Sequence, residues 1–219
     1  MYFSWHFINK LFRLGFLLTL ALILMDLLTF FYYPNTILGE IFLATREQTP
    51  LTWVSSIILL LIGFSSVSTY LKTKNRIWYF LSLVFLFFSM DDATYFHERI
   101  SGAIQEIFLP LVSFPSYSWV VLYFPLLISG LGGLLLMLWK DASIKDKKVM
   151  LLAVTLLGIS VALDMLDGFI GKSSVLVFCF NLSCNSSTTH ILRLLEEVLE
   201  ILGFGVLAYL NIREHIIEK

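Results

Sequence analysis

The chain has 219 residues, of which 58% are hydrophobic and 14% charged, with a formal net charge of −1. A soluble domain of this size cannot hide so much apolar surface in one core, and no basic surplus exists to hold nucleic acid. The composition fits a polytopic membrane protein, read here as one all-α domain over residues 1–219.

Six apolar stretches are long enough, at about 1.5 Å per residue, to cross a hydrocarbon layer of roughly 30 Å. The first, Leu14–Tyr33, follows the basic residues Lys10 and Arg13, as a secretory signal would. It ends in Thr29-Phe30-Phe31-Tyr32-Tyr33-Pro34, however, without the small residues of a cleavage site, so it is expected to remain as a helix. The others are Leu51–Leu71, Ile77–His97, Trp119–Trp139, Val149–Phe169 and His190–Leu210. Between the third and fourth, Ile100, Ala103, Ile104, Ile107, Phe108 and Leu111 recur at helical spacing, which predicts an amphipathic helix in the membrane interface. It would be either an inert float or a lid.

Charge sets the expected orientation. With alternating spans, Lys10, Arg13, Lys72, Lys74, Arg76, Lys140, Lys145, Lys147, Lys148, Arg213 and Lys219 share one face, and Arg46, Arg99, Lys172 and Arg193 the other. Eleven against four predicts a cell-membrane protein with both termini cytoplasmic. Trp5, Trp53, Trp78, Trp119 and Trp139 fall near the predicted helix ends, at interfacial depth. Cys179 and Cys184 then lie in an outer loop, where a disulfide is expected; free thiols are the alternative, and no second pair completes a zinc-type set.

The third span opens abruptly into Asp91-Asp92-Ala93-Thr94-Tyr95-Phe96-His97-Glu98-Arg99. A carboxylate deep in a membrane helix costs roughly 2.5–3.5 kcal/mol, so a cluster of them implies a partner, an ion or a reaction. At 100° per residue Asp91, Thr94, Tyr95 and Glu98 share a face, with Asp92 and His97 off to either side. The fifth span offers Ser160, Asp164 and Asp167, and the sixth His190, Arg193, Glu196, Glu197 and Glu200. Asp26 lies in the same half of the membrane. Asp26, Asp91 and Asp164 stand 65 and 73 residues apart in similar surroundings, either as a hairpin repeat or as a chance alignment in a Phe- and Leu-rich chain.

So many carboxylates at one depth must protonate, pair with Arg or bind a cation. A divalent metal is the natural counter-charge, with Asp91, His97, Asp164, His190 and Glu200 as expected ligands, a set that suits zinc, manganese or iron. Glu98 and Glu196 are the expected proton carriers. Asp164-Met165-Leu166-Asp167-Gly168 resembles the opening of the CDP-alcohol phosphotransferase motif, but Gly171-Lys172 replaces its Ala-Arg pair and the fragment faces the opposite side, so the assignment is rejected.

The inner halves of the spans carry little beyond Thr19, Ser65, Ser66, Ser68, Thr69 and Thr155, which gives a transporter no continuous polar path. The expected function is therefore a metal-dependent hydrolase or transferase acting on a lipid or lipid-linked substrate at the outer leaflet. A cation- or proton-responsive channel, carrier or sensor is the first alternative. An accessory scaffold, partnered within a larger membrane complex, is the second.

Overall fold

A computed structural model describes residues 5–44, 49–96, 99–100, 119–172 and 186–215. Among these, every regular element is an α-helix: α1 (Trp5–Tyr32), α2 (Ile37–Phe42), α3 (Pro50–Thr73), α4 (Arg76–Thr94), α5 (Trp119–Asp141), α6 (Ile144–Lys172) and α7 (Ser186–His215). α1, α3, α4 and α6 are long and apolar enough to cross a membrane, and α5 contains a shorter apolar stretch, Pro125–Lys140. Over the described residues the protein is all-helical, and its composition is that of a membrane protein. The predicted amphipathic segment beyond Ile100 and both cysteines lie outside the described residues.

Local chemistry explains where the helices begin and end. Thr49 caps α3 by accepting from the Thr52 amide, and Pro50 occupies the first turn, where its missing N–H costs nothing. α3 stops at Lys74, which is left-handed at φ 55° and donates its N–H to the Tyr70 carbonyl. Asn75 then caps α4 by accepting from the Ile77 amide at 3.0 Å. At the start of α6, Ser143 accepts from the Asp146 amide at 3.2 Å and donates to the Asp146 carboxylate at 2.6 Å. Arg213 reaches the same carboxylate at 2.9 Å, which ties the end of α7 to the start of α6.

α3 packs on α4 and α7, α6 packs along α7, and α5 rests mainly on α4. The shared core joins Leu59 and Ile62 of α3, Leu81 and Phe85 of α4, Leu134 of α5, Met150 and Leu157 of α6, and Phe204 and Leu207 of α7. Trp78 belongs to it as well. At 2% exposure it is packed into the core, although it stands in the first turn of α4, near the helix end as expected. α1 is peripheral, touching α2, α3 and α7, with Leu14, Leu17 and Leu24 exposed along its side. The bundle has a basic end, marked by the α3–α4 turn, and an acidic end, where α3 and α7 start and α4 stops.

Glycine allows close helix crossings, among them α3–α4 and α6–α7. A Cβ on Gly63 would lie 2.8 Å from the Leu86 side chain, and one on Gly203 would lie 2.6 Å from Leu157 and 3.1 Å from the Ala153 carbonyl. Gly158 faces open space. Gly203→Val should therefore destabilise the α6–α7 contact by about 1–3 kcal/mol, whereas Gly158→Ala should be neutral or raise stability by about 0.5–1 kcal/mol. Unfolding of both variants in detergent checks the contrast.

Candidate functional site

At the acidic end, α3 presents a polar stripe to its neighbours. Thr49, Thr52 and the adjacent pair Ser55 and Ser56 follow at three- to four-residue spacing and are all buried. Ser55 and Ser56 donate to one oxygen of Asp92 on α4, Oδ2, at 2.5 and 2.7 Å. Thr52 donates to Glu197 Oε1 of α7 at 3.3 Å, and its hydroxyl lies 3.2 Å from that of Tyr95. Ser89 of α4 returns a bond to the Ser56 carbonyl at 2.8 Å. Three helices thus meet through hydroxyl-to-carboxylate and hydroxyl-to-carbonyl bonds.

The end of α4 takes a shape that helical spacing does not foresee. Tyr95 adopts φ 53° and donates its N–H to the Asp91 carbonyl, closing the helix after Thr94. A bulky residue in the left-handed region costs about 1–3 kcal/mol, and the contact of Tyr95 with Thr52 helps hold it there. The predicted single face of Asp91, Thr94, Tyr95 and Glu98 is therefore interrupted. Asp91 and Asp92 point to different partners. Asp91 is 5% exposed and accepts from the Tyr123 hydroxyl of α5 at 3.0 Å, which places it in an α4–α5 contact.

Around Asp92 the acidic groups gather. Glu200 lies within electrostatic reach of Asp92, Glu197, Glu196 and Asp164, while Glu197 feels Asp92 and the Arg193 guanidinium. Five carboxylates from α4, α6 and α7 thus share one region, with Arg193 as the cation acting on Glu197. Among the described residues, no group of three or more His, Cys, Asp or Glu side chains is disposed to hold a metal ion.

A separate polar contact ties α1 to the bundle. His190 Nε2 lies 2.8 Å from Asp26 Oδ2, and Asp26 Oδ1 accepts from the Ala44 amide at 2.6 Å. The pair is sealed, with Asp26 at 0% and His190 at 1% exposure, and the imidazole stacks on Phe30 at 4.1 Å. One carboxylate therefore satisfies a ring nitrogen from α7 and a backbone donor from the segment after α2. Among the described residues, His190 Nδ1 has no hydrogen-bond partner.

The family model described as Domain of unknown function (DUF8692) matches residues 5–213. The chain belongs to that family. The match runs from the start of α1 to the last turns of α7, so both the acidic region and the Asp26–His190 pair lie inside the family's domain. No curated protein and no solved structure matches the chain.

The residues expected at a metal site separate into three groups. Asp164 and Glu200 do come together, and Glu196, an expected proton carrier, lies with them. Asp91 and His190 do not join them, because each is engaged with another helix through Tyr123 and Asp26. His97 and Glu98 lie outside the described residues. Asp92 and Glu197 are central to the region yet absent from the expected set. The polar stripe of α3 was the sequence signal that could have found them.

Removing the buried carboxylate of Asp26 strands the Ala44 N–H and the His190 ring together. Asp26→Ala should lower stability by about 1–3 kcal/mol, while Glu40→Ala, at an exposed position on α2, should change it by no more than about 0.5 kcal/mol. Chemical unfolding of the two variants in detergent tests this.

Proposed function

We propose that the acidic region of this membrane protein is the seat of a hydrolysis or group-transfer reaction on a lipid or lipid-linked substrate, with a divalent cation as its counter-charge. The observation that carries the reading is the gathering of Asp92, Asp164, Glu196, Glu197 and Glu200 with Arg193. In surroundings of low dielectric such an excess of negative charge draws protons or a cation. Among the described residues, with His190 engaged by Asp26, the donors near Asp92 are carboxylate and hydroxyl oxygens. Of zinc, iron and manganese, that set favours manganese.

A cation held there supplies Lewis-acid polarisation and a more acidic water. The chain's own residues have distinct tasks: Ser55 and Ser56 orient Asp92, Thr52 orients Glu197, and Glu196 carries the proton. Since no three acids stand at ligand spacing among the described residues, the proposal rests on charge excess and not on a preformed cage. That same spacing favours a second reading, a cation- or proton-responsive sensor. A scaffold role within a larger complex draws support from Asp91–Tyr123 and Asp26–His190, which are contacts between helices.

The proposed setting is a six-span bundle in the cell membrane with both termini cytoplasmic, the acidic end outward, and the 100–111 segment lying in the outer interface. Support for α7 as the sixth span comes from its packing along α3 and α6, both long and apolar enough to cross. The basic residues of the α3–α4 turn support the orientation.

Thermal unfolding with chelator and with added manganese, alongside metal analysis of the purified protein, tests the cation. The wild-type midpoint should fall with chelator and recover with manganese, and Glu200→Gln should lose most of that response. A wild type indifferent to both treatments would remove the cation and leave the scaffold reading in front.

A further inference from the structure

At the basic end α1 leaves a groove against α7. The two helices touch there through the edge of Phe12 on the Tyr209 ring, with centroids 5.2 Å apart, and through the Tyr209 hydroxyl, which donates to Asn9 Oδ1 at 3.3 Å. The groove is lined by Asn9, Phe12, Arg13, Phe16, Leu17 and Tyr209. From Asn9 to Leu17 it follows α1 for about 12 Å at 1.5 Å per residue.

Its chemistry is that of an amphiphile in negative relief. Arg13 makes no ion pair among the described residues, and Lys10 lies one turn before it. Tyr209 occupies the oxygen of the Asn9 amide, which leaves the two Nδ2 hydrogens of Asn9 to donate elsewhere. Beyond these donors the walls are aromatic or aliphatic, and among the described residues no carboxylate lines the groove. A guanidinium and an amide above an apolar trough call for an anion attached to a hydrocarbon chain. A free anion would leave the trough empty. A second copy of this chain would bring another basic end against Lys10 and Arg13 and be repelled.

We propose that this groove binds one anionic glycerophospholipid. Its phosphate sits on Arg13 and Asn9, and an acyl chain lies along Phe12, Phe16 and Leu17. The lipid fills the gap beside α1, a helix otherwise tied down chiefly at its other end by Asp26. The site is independent of the chemistry at the acidic end.

The test uses the purified full chain in neutral detergent, with phosphatidylglycerol, phosphatidylcholine or inorganic phosphate added separately. Native mass spectrometry reads stoichiometry and affinity, and thermal unfolding reads stabilisation. Phosphatidylglycerol should bind one to one and raise the midpoint, and phosphatidylcholine and inorganic phosphate should not. Arg13→Gln should weaken binding about fivefold, as expected for one basic residue removed near a charged lipid surface. Leu17→Asn should weaken it by spoiling the apolar wall, and Lys145→Gln, an exposed charge elsewhere on the basic end, should leave it unchanged. Equal response to both lipids, the same response to inorganic phosphate alone, or unchanged binding by Arg13→Gln or Leu17→Asn would overturn the proposal.

Discussion

Hydroxyl groups on one side of α3 make this bundle able to accept acidic helices. Where water is excluded, a carboxylate must find donors within the protein, and an unsatisfied one costs several kcal/mol. Thr52, Ser55 and Ser56 are the donors that reach Asp92 of α4 and Glu197 of α7. Serine and threonine are small enough to let helices approach while supplying a hydrogen bond, which is why they serve as polar glue between membrane helices. The placement of α4 and α7 on opposite flanks of this stripe follows from that need. Gly203 then lets α6 close on the far side of α7.

The same stripe has a lower part with a different character. Ser65 and Ser66 accept from Asn211 Nδ2 at 2.6 and 3.5 Å, and Thr69 lies buried one turn further on. Between Ser56 and Ser65 the buried residues of α3 are Leu59, Ile62 and Gly63, against Phe85 and Phe204. That interval is about 13 Å of helix. The upper polar region holds carboxylates and the lower one amide and hydroxyl groups, with an apolar layer between them. This separation is the physical ground for proposing a site that works on one side of a membrane.

Much of the helical layout was legible in the sequence, because apolar runs of that length have few other uses. Each expected span falls largely within an observed helix. The details that escaped depend on particular residues. Tyr95 ends α4 in a left-handed conformation that aromatic residues seldom adopt, so a helix drawn through to His97 was the natural reading. α2 is six residues long, too short to show a periodicity. The acidic region was legible as a neighbourhood, since Asp164, Glu196 and Glu200 do gather. A helical wheel gives angles on one helix but not the neighbour that each angle meets. Helical spacing turns Asp92 off the main face of α4, and it is there that Asp92 meets Ser55 and Ser56. His190 was read as a metal ligand, whereas its partner is Asp26, 164 residues away. No local pattern signals a pairing of that range.

A double-mutant cycle on the contact between the α3 hydroxyls and Asp92 tests most directly whether α3 holds the acidic groups in place. The arms are Ser55→Ala/Ser56→Ala together and Asp92→Asn, each alone and combined, with unfolding free energy in detergent as the readout. The hydrogen bonds at 2.5 and 2.7 Å predict a coupling of about 0.5–1.7 kcal/mol between the arms. Effects that add to within about 0.3 kcal/mol would mean that Asp92 is held by something other than α3, and would contradict the account.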